Sequence, residues 1–287
     1  MDKPKPQMLK LGVPVMGKGA TNHIHRPEVI DAFLERGIEL CFFVRPDYVD
    51  ILEQHPGCSY IPCEIPTVTG RGKFSAGFFE YWRSLYPAKD AGRRIRFREL
   101  NSHRSSMARL RNNLLAWAAR SRKIMQITLR VEEKIVHRFE RVKINENHLD
   151  CMLLLGVGTH GTQAEALFAR WARSHGIPTV QVVANYDGLS SKGFRGTTVD
   201  ELLVWGPAMR DDAVRLQGIP ESRVKMIGAL RYDHLRDRQY PPRDTFLRQR
   251  GLDPSRKTIL FAGSRNVHHY FEMLSAFEEL SKYNDQF

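Results

Sequence analysis

Residues 150–171, DCMLLLGVGTHGTQAEALFARW, run from an apolar stretch through Gly156, Gly158 and Gly161 into an amphipathic one. The order is strand, tight loop, helix. That is the repeating unit of an α/β fold, because parallel strands need a long crossover and a helix usually supplies it. The glycines also spell G-x-G-x-x-G, the spacing of a dinucleotide loop whose helix N-terminal amides hold a pyrophosphate. Such a loop carries a second mark, an acid about 20 residues further on at the end of the next strand, which binds a ribose hydroxyl. Here that strand ends Gln181-Val182-Val183-Ala184-Asn185, and Asp187 lies beyond it in a turn-like segment. Beside the weakened dinucleotide reading stand two others: glycines that simply permit a tight turn, and a backbone-lined pocket for a different polar or anionic ligand.

The same alternation extends in both directions. Upstream, Met8–Val15 is an apolar strand, MGKGATNHIH a loop, and a helix opens near Pro27 and closes at Gly37. Ile38–Val44 gives a second strand, Pro46 opens a helical stretch to about Gln54, and the Pro-, Gly- and Thr-rich residues 60–72 read as loop. Between about 93 and 122 the period turns helical, with Phe97, Leu100, Met107, Leu110, Leu114 and Trp117 at steps of three and four, and a second helical stretch follows from about 124 to 141. Downstream, strands are expected at 178–183, 201–205, 223–227 and 258–262, with helices at 162–174 and 207–217 and from about 267. The expected fold is therefore a Rossmann-like parallel sheet flanked by helices. Its first domain spans 1–240 and carries a basic helical insertion at about 90–142. Residues 241–287, after the proline-bearing linker at 240–243, give the opening unit of a second domain.

A chain of 287 residues that is 42% hydrophobic can bury a substantial core. No apolar run approaches the roughly 18 residues needed to span a bilayer, and the first residues lack the apolar core and cleavage site of a signal peptide. The expected location is cytoplasmic, with peripheral attachment to the inner face of the cell membrane as an extension of that reading. Cys41, Cys58, Cys63 and Cys151 form no C-x-x-C pair. They read as free thiols rather than metal ligands, and nothing in the sequence requires a metal.

Charge is concentrated. Arg83 to Lys143 holds seventeen basic residues against five acidic, which is the whole of the chain's net +12. Three readings fit: a solvated helix face; docking to anionic lipid headgroups, with Phe97, Leu114 and Trp117 on an apolar side and Arg94, Arg98, Arg104 and Arg111 around it; and nucleic-acid binding. No zinc-finger, RNP or helix-turn-helix pattern accompanies the charge, so nucleic acid is disfavoured.

Three later stretches, NYDGLSSKG at 185–193, DELLVWG at 200–206 and RLQGIPESRVKMIGALRYDHL at 215–235, resemble those of bacterial surface-carbohydrate glycosyltransferases of the GT-B fold. CDP-glycerol-type glycerophosphotransferases and sugar-nucleotide 2-epimerases share much of that block. The resemblance implies transfer of a sugar from a nucleotide-sugar, as co-substrate and with no other cofactor, to a polysaccharide or lipid-linked acceptor. It also implies an acceptor-side first domain and a second domain cut short, so that a partner polypeptide or a second copy would be needed to complete it. A non-catalytic fragment is the competing reading.

On this resemblance the first loop supplies Gly17, Gly19 and Asn22 for substrate, with His23 or His25 as the base that takes the acceptor proton. The second loop adds Gly158, His160 and Gly161, and the following segment Asn185, Asp187 and Lys192. Ser264, Arg265 and Asn266 are implied donor-phosphate ligands, Arg265 by its charge and planar fork. Other readings remain at these positions: a helix cap, a surface loop or two metal ligands for His-x-His, and an ordinary turn for Asp187-Gly188.

Overall fold

The computed structural model of the chain describes residues 8–16, 24–49, 52, 54–86, 101–102, 104–142, 144, 148–156, 163–236, 238–258, 260, 274–276 and 278–279. In chain order its strands are β1 (Leu9–Val15), β2 (Ile38–Val44), β3 (Ser59–Pro62), β4 (Thr67–Val68), β5 (Glu140–Arg141), β6 (Cys151–Leu155), β7 (Thr179–Val182), β8 (Glu201–Val204) and β9 (Val224–Met226). Its helices are α1 (Pro27–Leu34), α2 (Pro46–Val49), α3 (Gly72–Ser84), α4 (Ser106–Ala118), α5 (Arg122–Val136), α6 (Gln163–Ser174), α7 (Pro207–Arg215) and α8 (Arg243–Gln249). The chain divides into two compact units, 1–233 and 234–287.

In the first unit seven strands form one parallel sheet in the order β3-β2-β1-β6-β7-β8-β9. The fold is α/β and Rossmann-like, as the glycine-loop unit predicts. Side-chain alternation explains the two layers that cover it. Leu40, Phe42 and Val44 pack on one face with Ile30 of α1, while Cys41 and Phe43 pack on the other with Phe168 and Ala172 of α6 and Met209 of α7. Phe43 and Phe168, both fully buried, stack with ring centroids 6.2 Å apart. Each contributes roughly 3 kcal/mol through burial. Gly37 has φ +71°, the left-handed conformation that lets the chain leave α1 and enter β2.

The order of the strands reverses at β1. The chain builds outward to β2 and β3, then returns to place β6 on the other side of β1. Pairing with β2 runs the whole length of β1, from Leu9↔Ile38 to Val15↔Val44, whereas the register with β6 is Leu11↔Cys151 and Gly12↔Met152. Pro14, two residues on, has no amide hydrogen to give to a neighbour. The ladder between β1 and β6 thus stops short of the carboxyl ends of the two strands.

Helices α3, α4 and α5 form an insertion between β3 and β6, and α3 packs along α5. Their shared interface holds Arg83 hydrogen-bonded to Glu132, both buried, beside an apolar cluster that includes Tyr86, Ala119, Met125 and Leu129. Two arginines of α6 clamp the insertion to the sheet. Arg170 donates to Glu140 at 2.5 Å and to the Gly196 carbonyl at 3.1 Å, and Arg173 to Glu133 at 2.7 Å and the Thr198 carbonyl at 3.0 Å.

Several elements differ from the sequence expectation. Residues 59–62, which overlap the start of the expected loop, form the edge strand β3. It is only four residues long and ends in Pro62, which an edge tolerates because one side of it needs no amide. The helix at Pro46 is a single turn. The second basic helix stops at Val136, and after a 3₁₀ turn β5 pairs antiparallel with β4, Thr67↔Arg141 and Val68↔Glu140. Of the one or two helices that the 93–122 period allows, the described residues show helix at 101–102 and α4 from Ser106, where the Ser105 side chain accepts from the Ala108 amide.

In the second unit, Arg243 of α8 donates to the Pro254 carbonyl at 2.9 Å, and residues 274–276 are helical. Of the strand expected at 258–262, Thr258 and Leu260 are described. Neither lies in a strand, and Leu260 is exposed. A strand needs a neighbour for its amides, and among the described residues this unit offers none.

Candidate functional site

The two glycine loops of the sequence follow β1 and β6, which are neighbours in the sheet and flank the point where strand order reverses. Open α/β sheets bind ligands there, outside the carboxyl ends of the strands. Gly17, Gly19, Asn22 and His23 of the first loop, and Gly158, His160 and Gly161 of the second, lie outside the described residues. So do Arg94, Arg98, Ser264, Arg265 and Asn266. The residues that frame the loops are described.

Gly156, the first residue after β6, is buried with the Glu165 side chain close against it. A Cβ there would fall on the carboxylate of Glu165. Glu165 sits in the first turn of α6 and is buried at 6% exposure. From β7, the buried Gln181 side chain donates to the Gly156 carbonyl. This corner is therefore fixed from two sides, by an acid and an amide. A helix N-terminus favours negative charge, and Glu165 already supplies it. The place that a pyrophosphate takes in a dinucleotide site is thus next to a resident carboxylate, which repels phosphate and accepts hydrogen bonds from hydroxyl groups. That adds a physical objection to the dinucleotide reading already weakened by its missing acid.

His25, on the other side, belongs to an aromatic group. Its Nε2 lies 2.9 Å from the Tyr60 hydroxyl, and its ring meets Phe42 edge-on at 5.3 Å. Tyr60 stacks on Phe42 at 5.2 Å, and its oxygen accepts from the His55 amide at 2.8 Å. Tyr60 thus orients the His25 ring. Burial raises the Tyr60 pKa and outweighs the lowering effect of the His55 amide. Nearby, Arg26 donates to the Leu230 carbonyl at 3.0 Å, tying the end of the first loop to the segment after β9.

Asp187 and Lys192 are brought together. The Lys192 ammonium is 3.4 Å from the Asp187 carboxylate, which also accepts from the Ser191 hydroxyl at 2.6 Å. Partial burial pushes this carboxyl up, but Ser191 and Lys192 outweigh it and hold Asp187 below the usual carboxylate range. Asn185 is exposed, and its carbonyl accepts from the Gly188 amide at 3.0 Å. The segment therefore combines the turn expected of Asp-Gly with a preformed charge pair.

What holds that segment in place is Gln217, which sequence reasoning missed. Its buried amide donates to the carbonyls of Leu189 at 2.6 Å and Gly193 at 2.9 Å, and accepts from the Arg195 amide at 2.9 Å. No local pattern marks a glutamine at a helix end as a loop anchor. Gln181 and Glu165 did leave signals: a polar residue inside the apolar run PTVQVV, and the capping-box spacing Thr162-x-x-Glu165.

The cysteines are all free. Burial pushes Cys58 and Cys63 up to about 11, so both are thiols at neutral pH. Among the described residues no group of three His, Cys, Asp or Glu side chains is placed to hold a metal. Arg104, Arg111 and Trp117 are exposed on and beside α4. Among the described residues no helix is long and apolar enough to cross a membrane. No protein-family model matches the sequence, and no curated protein is significantly similar to it.

Proposed function

We propose that this chain is the acceptor-side part of a glycosyltransferase that moves a sugar from a nucleotide-sugar to a surface polysaccharide or lipid-linked acceptor. The observation that carries the reading is the corner made by Gly156, Glu165 and Gln181 at the reversal of strand order. A carboxylate and a carboxamide beside the start of the loop after β6 would suit a ligand rich in hydroxyls. Further along the chain, after β7, Asp187 and Lys192 would offer an acceptor and a donor to the same ligand.

In the proposed reaction the acceptor hydroxyl loses its proton to a histidine of the first loop. Its oxygen bonds to the anomeric carbon of the donor sugar while the bond from that carbon to the nucleotide diphosphate breaks. His25 and His23 are the candidate bases. Tyr60 favours His25, because a base held by a third group is already aimed before substrate arrives. For His25 to act through Nδ1, its Nε2 must carry the proton and donate to Tyr60. Ser264, Arg265 and Asn266, assigned by resemblance alone, would meet the charge on the departing phosphate.

Calorimetric titration with UDP, CDP, GDP and NAD, followed by mass spectrometry of oligosaccharides incubated with the matching nucleotide-sugar, tests this reading. Saturable binding of one nucleoside diphosphate, with sugar added to an acceptor and the addition abolished in Glu165→Gln, is the expected result. Tight binding of NAD, or a nucleotide-sugar altered with no acceptor modified, would overturn it. Binding of none of the four would remove the donor half of the assignment from this chain.

A further inference from the structure

The insertion turns apolar side chains outward. On α4, Met107, Leu110, Leu114 and Trp117 follow at steps of three and four, so they share one face, and all four are exposed, Met107 at 79% and Trp117 at 70%. Asn112, which α4 buries, and the buried Ala119 that follows its last turn lie roughly 150–180° round the helix axis from that face. The helix thus turns an apolar row to solvent, while the side it buries centres on the polar Asn112, whose amide donates to the Asn101 side chain at 2.7 Å. On α5, Ile124, Ile127, Val131 and Ile135 form a second exposed row, and α3 adds Phe74 at 85% exposure. A helix face turned to water is ordinarily polar.

Charge specifies what these rows meet. Beside the isoleucine row of α5, roughly 90° round the axis, runs an exposed row of Lys123, Arg130 and Lys134. From 104 to 138 there are nine basic residues and two acidic, Glu132 and Glu133. Both acids are engaged, Glu132 by Arg83 and Glu133 by Arg173. The unpaired charge of this segment is all positive. Aliphatic and indole groups on one row with lysine and arginine on the next is the pattern of a helix lying in a membrane interface, its apolar side among acyl chains and its cations at headgroup level. Nucleic acid would use the cations and leave the aliphatic row in water.

We infer that α4 and α5 form a docking surface for an anionic lipid bilayer. The apolar rows enter the headgroup boundary, and the cations select membranes that carry negative headgroups. This does not rest on the transferase reading, because vesicle binding needs neither a sugar donor nor an acceptor.

The test is co-sedimentation of the full chain with phosphatidylcholine vesicles, with and without phosphatidylglycerol. Binding to the anionic vesicles and little to the neutral ones is expected, weakening as added salt shortens the screening length from about 10 Å at 0.1 M to about 3 Å at 1 M. Leu110→Ser with Trp117→Ser is expected to weaken binding by roughly ten-fold or more. The triple change Lys123→Glu, Arg130→Glu and Lys134→Glu is expected to weaken it by roughly a hundred-fold. All five side chains are exposed, so circular dichroism and the melting temperature serve as controls for folding. Equal binding to both vesicle types, or to neither, would overturn the inference. So would a dimer that the Leu110/Trp117 variant dissolves, or oligonucleotide binding that the triple variant abolishes, in a chain that ignores vesicles.

Discussion

The sheet unit and its helical insertion use the same residue types in opposite senses. Around the sheet, polar groups turn inward and find partners: Gln217 satisfies three backbone groups of the 189–195 segment, and Arg170 and Arg173 of α6 reach two glutamates and two carbonyls. In the insertion the buried Arg83–Glu132 pair follows that rule, yet Met107, Leu110, Leu114 and Trp117 face water. Folding explains the first arrangement, since a buried polar group costs free energy until it is hydrogen-bonded. It does not explain the second, because an exposed aliphatic row contributes nothing to the folded state. The contrast separates residues that hold the structure from an apolar row that the fold leaves exposed.

The largest test of that contrast is Arg83→Met. It removes one member of a buried pair and strands the Glu132 carboxylate, and it is expected to cost about 3–5 kcal/mol. Urea unfolding measures this, and adding Glu132→Leu should restore much of the loss by removing the stranded charge.

Gln217→Ala comes next. It leaves the Leu189 and Gly193 carbonyls and the Arg195 amide without their partner, at a cost of about 1–3 kcal/mol. Hydrogen exchange should quicken within 188–195 while the amides of β1 and β2 keep their protection. An equal rise across the sheet would show that the loop and sheet open together.

Asp187→Asn has a smaller effect with a definite sign. Because Ser191 and Lys192 hold the folded carboxyl below its unfolded value, its contribution is present above the unfolded pKa and is lost as pH falls through the folded one. The variant should therefore be less stable than the parent at neutral pH and equal to it in acid below both values. Thermal melts of the two proteins across acidic pH measure the difference.

The smallest expected effect is that of Leu114→Ser or Trp117→Ser, within about 0.5 kcal/mol of the parent. A large loss of stability would mean that this row serves folding, and the contrast between the two regions would fail.

Much of the candidate site was legible one loop at a time. The strand-loop-helix pattern marked both glycine loops, and the apolar run before each marked its strand. That β1 and β6 are neighbours was not legible, because β2, β3 and the whole insertion lie between them in sequence. Gln217 was invisible for the same reason: its partners are 22 to 28 residues away, and only packing brings them together. Edge strand β3 escaped because four residues ending in proline show no period, while in space they need only β2 beside them. The helical period of 107–117 was read correctly, but periodicity alone marks an apolar face without saying whether protein or solvent covers it.

By itself the sequence determined the α/β alternation, the placing of two glycine loops after apolar strands, and the concentration of positive charge in one segment. These are local properties, set by side-chain period, glycine and proline, and composition. Tertiary structure decided what no local pattern carries: which strands adjoin, so that the ladder between β1 and β6 ends before the strands do; which acid stands against Gly156; and that the protein leaves the apolar row of α4 exposed. Each depends on contacts between residues far apart in the chain, and those contacts exist only once the sheet has closed the distance.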